Sequence, residues 1–119
     1  MSLSLILSDA KLSDVIRAEA LKGHLDGLIL AILSGGPAHG YALIEELRTR
    51  SGGSLDLPEG TVYPALHRLE AQGLVRSAWS SGTGRRRRVY RLTRRGRGTL
   101  AERRREWEAL TRAVEGVFA

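Results

Sequence analysis

Four consecutive arginines, Arg85–Arg88, follow closely on two glycines, Gly82 and Gly84. A guanidinium is a permanent cation whose planar fork of donors matches phosphate oxygens. The run therefore offers chemistry for holding a polyanion, not for making or breaking bonds. Successive residues of a strand point to opposite faces. Two of the four, with Arg85 at the tip, are thus expected to touch a nucleic acid, and the others to form a solvated charge run. Narrow A·T-rich minor grooves attract arginine through their deepened negative potential, which makes the turn a candidate for insertion there. Upstream, Thr61, Pro64, His67, Arg68 and Ala71 share one face of a predicted helix. That face is polar enough for solvent and slim enough to enter a DNA major groove.

Other chemistry is poorly represented. His24, His39 and His67 fall on separate predicted helices, with no H-x-x-x-H spacing and no cysteine beside them, so no metal site is expected. There is no G-x-S-x-G and no phosphate loop ending in G-K-[ST]. Glu45 and Glu46 are adjacent, so on a helix they diverge and make a poor acid/base pair. Neither an enzyme nor a bound cofactor is expected. The lack of cysteine excludes disulfide scaffolds and allows a reducing compartment.

Charge is distributed unevenly. Residues 1–84 hold seven Lys and Arg against nine Asp and Glu, a balance of −2; residues 85–119 hold twelve against four, a balance of +8. The positive charge thus sits on the arginine turn and the helix after it, a surface that attracts polyanions by releasing their counterions. Nucleic acid is the first candidate partner and an anionic membrane surface the second. Leu3, Leu5, Ile6 and Leu7 lack a basic leader and are followed at once by Asp9, Lys11 and Asp14. No signal peptide, no membrane span and no membrane partner is therefore expected, which suggests a cytoplasmic protein.

These groups need elements to position them. With 119 residues, 42% of them hydrophobic, the chain is long and apolar enough for one domain and an appendage. Residues 1–20 are either a short amphipathic helix built on Leu5, Leu12, Val15 and Ile16 or a frayed arm. Residues 21–34 place Leu21, Leu25, Leu28, Ile29, Ile32 and Leu33 on one apolar stripe, a helix docked on a core, ended by Gly35, Gly36 and Pro37. Gly23 and Gly27 within it read as tolerated defects or as sites of close backbone approach. Residues 38–50 form a second helix with Ala42, Leu43, Ile44 and Leu47 inward. A third starts near Gly60 or Thr61, which places Pro64 in its first turn, where no backbone donor is missed. It buries Val62, Leu66 and Leu69 and stops at Gly73. Val75–Ser80 and Arg87–Leu92 read as strands joined by the glycine turn.

Thr93 caps a final helix to Ala119, with Leu100, Trp107, Leu110, Val114 and Val117 at its apolar positions. From Trp107 the steps run three, four, three, like a coiled-coil seam. The seam pairs with a second copy of the chain or packs back on the first helix. Three helices followed by a basic hairpin predict a mainly α chain of the α+β class, a winged helix-turn-helix with a long C-terminal dimerisation helix. Its parts are an N-terminal arm (1–20), a DNA-binding domain (21–92) and the dimerisation helix (93–119). The same pattern also suits a charged hairpin in some other small α+β domain.

From Leu21 to Ala119 the chain resembles the PadR family of transcriptional regulators. The words that carry the resemblance are HGYALIEEL at 39–47, LPEGTVYPALHRLEAQGLV at 57–75, SAWSS at 77–81 and RRRRVYRLT at 85–93. The resemblance implies a homodimeric DNA-binding protein, often a repressor, of the short-tailed branch with one helix after the wing. It places Thr61, Tyr63, Pro64, His67 and Arg68 on the recognition helix, with Arg68 suited to guanine and Thr61 to a phosphate or a thymine methyl. Tyr63 divides between that role and the core, and Tyr41 between phosphate contact and packing against the wing or third helix. Some relatives hold flat hydrophobic ligands between tryptophans at the dimer interface, so Trp107 marks either an effector pocket or plain interface core. Two departures stand out. Pro58 occupies a position where a capping serine is common, and the wing arginines Arg85, Arg86, Arg87 and Arg88 are more basic than usual.

Two other functions compete. An arginine-rich binder of RNA or single strands would stack bases on several aromatics, and this chain has only six Phe, Trp and Tyr. A protein adaptor would use the long helix to hold a heterologous partner.

Overall fold

The computed structural model describes residues 21, 23–80, 82 and 84–119. The helix or arm expected within residues 1–20 lies outside the described residues. In chain order the elements are α1 (Leu25–Leu33), β1 (Ala38–His39), α2 (Gly40–Arg50), α3 (Glu59–Ala71), β2 (Val75–Trp79), β3 (Arg88–Leu92) and α4 (Arg94–Phe118). The strands form an antiparallel sheet in the order β1-β3-β2. Helices α1, α2 and α3 pack Ile29, Leu30, Leu43, Val62 and Leu66 into a core free of solvent, which Val75 and Tyr90 close from the sheet. This is a winged helix-turn-helix of the mainly α, α+β class. Each fully buried leucine contributes about 1.5–3 kcal/mol, and Leu66→Ala would cost roughly 2–5 kcal/mol. Burial also pushes the Tyr90 phenol above its ordinary pKa.

The stop after α3 is local in origin. Gly73 has a φ of 75°, Leu74 N donates to Leu69 O at 2.9 Å and Gly73 N to Glu70 O at 3.0 Å. This paired closure ends a helix and brings the apolar side chains at its two ends together; Leu69 and Leu74 are both buried. Thr93 joins that turn to α4. Its Oγ1 accepts from Gly96 N at 3.0 Å and lies 2.7 Å from Gly73 O and 3.0 Å from Leu74 O, to which it can donate. A Cβ on Gly96 would collide with the Leu74 carbonyl oxygen, so α4 starts in direct backbone contact with the α3–β2 turn.

Four expectations need correction. The helix expected over 21–34 is interrupted: Gly23 has a φ of 88°, which favours glycine, and α1 begins only after His24. Gly27 is a close-approach site, since a Cβ there would stand 3.3 Å from the Arg103 Cβ on α4. The second helix begins at Gly40, because Ala38 and His39 pair with Tyr90 and Val89 as a strand. Third, α3 begins at Glu59, so Pro64 sits in its second turn. The carbonyl of Gly60 then loses its helical donor, but Gly60 is exposed. Pro58 caps α3 without a side-chain hydrogen bond.

The fourth correction concerns α4. Leu100, expected on a two-fold seam, is only 8% exposed and belongs to the protomer's own core. The first part of α4 runs against α1, with Arg103 Nη1 donating to Gly23 O at 3.3 Å. Packing back on the first helix therefore holds for this part of α4. Farther along, Trp107, Leu110, Val114, Val117 and Phe118 are 53%, 46%, 42%, 84% and 86% exposed.

Candidate nucleic-acid interface

The exposed face of α3 carries Gly60, Pro64, His67, Arg68 and Ala71, with Thr61 half-buried beside them. The spacing places them opposite Val62, Leu66 and Leu69, which anchor the helix. Arg68 is not free on this face. Its Nη2 donates to Asp26 Oδ1 of α1 at 3.2 Å, with the Arg68 side chain 56% exposed. Such a pair contributes about 0–1 kcal/mol, so a base edge offering two acceptors can compete for the guanidinium.

Tyr63 is half-buried and packs against the core. Its ring lies over Gly40, where a Cβ would stand 2.6 Å from Cζ and Oη. Glycine at this position lets the start of α2 dock on α3. Tyr41, on the next residue, is 59% exposed.

The wing is the hairpin of β2 and β3. Trp79 and Arg88 are cross-strand partners. Beyond them the ladder is extended by Ser80 N donating to Arg87 O at 2.8 Å and Arg87 N donating to Ser80 Oγ at 3.2 Å. Arg85–Arg88 are all exposed, and among the described residues no salt bridge neutralises any of them. They divide by face. The Arg86 and Arg88 guanidiniums stand 5.0 and 5.5 Å from the centre of the Trp79 ring. Arg88 Nε also donates to Ser77 Oγ at 2.7 Å, and Ser77 donates through N and Oγ to Glu70 Oε2 of α3 at 2.9 and 2.6 Å. Arg87 takes the other face, its Nη1 2.9 Å from His39 Nε2. His39 meanwhile caps α2, its Nδ1 accepting from Ala42 N at 3.2 Å.

His39 and Trp79 were not singled out as site residues by the sequence. For His39 the usable signal was a histidine just before a helix start; for Trp79, an aromatic at the end of a strand facing arginines.

A second feature lies on the other side of the molecule. Between α1 and α4 is a cavity of about 670 Å³, lined by Leu28, Leu55, Leu100, Trp107 and Leu110, with Arg103 among the polar residues around it. His24 meets Trp107 edge to face, with ring centres 5.1 Å apart. Among the described residues there is no cluster of His, Asp or Glu able to hold a metal ion, and no helix is long and apolar enough to cross a membrane.

Known proteins share this arrangement. A transcriptional regulator of Mycobacterium tuberculosis is 50% identical over 78 residues, covering 66% of this chain and 70% of that protein. The solved structure of a transcriptional regulator from Clostridium thermocellum superposes with a TM-score of 0.78 at 29% identity, over 86% of this chain and 97% of that one. A PadR family transcription regulator from Clostridium difficile gives 0.73 at 33% identity, over 81% and 99%. The model of the transcriptional regulator PadR-like family matches residues 29–102. With its winged helix fold and its arginine wing beside an open helix face, this chain belongs to the PadR-like family of transcriptional regulators, which are not enzymes.

Proposed function

We propose that this regulator is a homodimeric repressor that reads double-stranded operator DNA and is released by a small hydrophobic effector. Residues 21–92 form the reading unit in this proposal, and residues 93–119 pair two copies. The observation that carries it is the set of four exposed wing arginines, without acidic partners among the described residues, next to the exposed face of α3. Arg68, Thr61, Pro64 and His67 face the major groove, with Tyr63 at its edge, and Tyr41 contacts a phosphate at the start of α2. The exposed stripe of Trp107, Leu110, Val114 and Val117 supports the pairing. A lone protomer gains nothing by leaving it in water, and a second α4 can cover it. The cavity beside Trp107 adjoins that stripe and is the place for a flat apolar effector.

The test begins with genome-wide footprinting to find the bound site. Titration follows with that duplex, a random duplex and the single strands. The proposal expects tight, salt-sensitive binding to the footprinted duplex, lower transcription from the adjoining promoter when the protein is added, and a dimer in ultracentrifugation. Preference for single strands, or a monomer at the footprinted site, would overturn it.

A further inference from the structure

We infer that Trp79 is a positioning residue of the wing, whose indole holds the guanidiniums of Arg86 and Arg88 as a fixed pair for the phosphates of duplex DNA. This inference rests on the proposed DNA-binding function. Trp79 is 54% exposed at the end of β2, a costly place for the largest apolar side chain unless it is in use. Its face attracts cations through the ring quadrupole, and the two nearest charges stand 5.0 and 5.5 Å from its centre. A guanidinium stacked on a ring spends its flat face and leaves its N–H edge for acceptors.

The neighbours complete the arrangement. Ser77 has one hydroxyl proton, and Glu70 Oε2 takes it at 2.6 Å. The remaining lone pairs of Ser77 Oγ are then available to Arg88 Nε, 2.7 Å away. Arg88 is therefore held at its Nε and beside the Trp79 ring, and among the described residues no carboxylate pairs with its guanidinium. Glu70 belongs to α3, so the chain Glu70–Ser77–Arg88–Trp79–Arg86 fixes the wing cations relative to the recognition helix. A free arginine must give up its rotamer freedom when it meets a phosphate. Here part of that ordering is already present in the folded protein.

The experiment separates positioning from contact. Trp79→Leu keeps an apolar residue but removes the ring face, and Trp79→Phe keeps a ring. Affinity for a short random duplex is measured against salt in the wild-type background and in an Arg86→Ala, Arg88→Ala background. The expected loss for Trp79→Leu is on the order of tenfold, with the log–log salt slope unchanged because no phosphate contact is removed. Trp79→Phe should recover most of it, and in the Arg86→Ala, Arg88→Ala background Trp79→Leu should cost little more. An equal loss in both backgrounds, or a smaller slope, would overturn the inference: the indole would then touch DNA itself or merely hold the hairpin together.

A DNA-independent readout tells apart failure of this inference and failure of the function on which it rests. In a Trp107→Phe protein, Trp79 is the sole tryptophan, and its emission should shift when Arg86 and Arg88 become alanine. Unchanged emission would show that there is no stack. A shifted emission in a protein that binds no duplex would uphold the arginine stack and overturn the DNA-binding proposal.

Discussion

The wing and the far end of α4 are both exposed, yet they manage exposure in opposite ways. On the wing, Arg86 and Arg88 stand over Trp79, Arg88 is tied to Ser77, and Arg87 meets His39. At the end of α4, Val117 and Phe118 remain more than four-fifths exposed. A solvated charge costs little, so the protomer can arrange its cations in advance on its own. An apolar stripe gains only by being covered, and a single chain has no second α4 to cover it. One surface is prepared within the protomer; in the proposed dimer the other is completed by a second copy.

The largest expected effect tests the second half of that contrast. Leu110→Glu would place a carboxylate beside its symmetry mate in a paired α4, with like charges and no water. The dimer should split in ultracentrifugation, and affinity for a two-half-site operator should fall by roughly 10²–10⁴-fold as bivalency is lost. A variant that stays dimeric with full affinity would show that the stripe is not the interface. The first half of the contrast is tested on α3 and the wing. Arg68→Ala should cost on the order of 1–3 kcal/mol at the specific site if its contact to guanine is bidentate, and much less on random duplex. Equal losses on both would reduce Arg68 to a phosphate neutraliser. Replacing Arg85 and Arg86 with alanine should weaken binding to all duplexes and reduce the log–log salt slope by roughly one to two units, at about 0.9 per contact. An unchanged slope would mean that the wing does not touch phosphate. The smallest effect sharpens the picture of Arg68. Asp26→Asn should change thermal stability by no more than about 1 kcal/mol and should slightly strengthen binding to the specific duplex by freeing the guanidinium. Weaker specific binding would mean that Asp26 positions Arg68 for DNA and does not compete for it.

What the sequence revealed follows from how local each feature is. The stop at Gly73 and the cap at Thr93 depend on a few neighbouring residues, and both were legible. So were the buried face of α3 and the two wing strands, where periodicity reports the face directly. The strand character of Ala38 and His39 was not legible, because it is set by pairing with Val89 and Tyr90 some fifty residues on. The partner of Arg68 is 42 residues away in sequence. The apolar spacing of α4 gave the right face but not its division: Leu100 is buried by its own chain, while Leu110 remains open. Spacing identifies a stripe but not the surface that meets it. The closeness of Gly27 to Arg103 also came only with the fold, since glycine looks alike in sequence whether it bends, breaks or makes room.

The junction at Thr93 sets a mechanical ratio. With 25 residues and a rise of 1.5 Å each, α4 is an arm about 37 Å long, clamped at its base to the turn that ends α3. A change of roughly 5° at the clamp moves the far end by about 3 Å over that length. The base is held through Thr93 Oγ1 and the close approach at Gly96, and the first part of α4 is braced against the core by Leu100 and against Gly23 by Arg103. In a two-fold pair the motion runs in reverse as well. A small shift where two arms cross becomes a comparable change in the separation of the two α3 helices, whose required spacing on DNA is fixed by the helical repeat at about 34 Å. In the proposed dimer the arm is then a gauge, and its stiffness sets how small a displacement puts the two α3 helices out of step with the double helix.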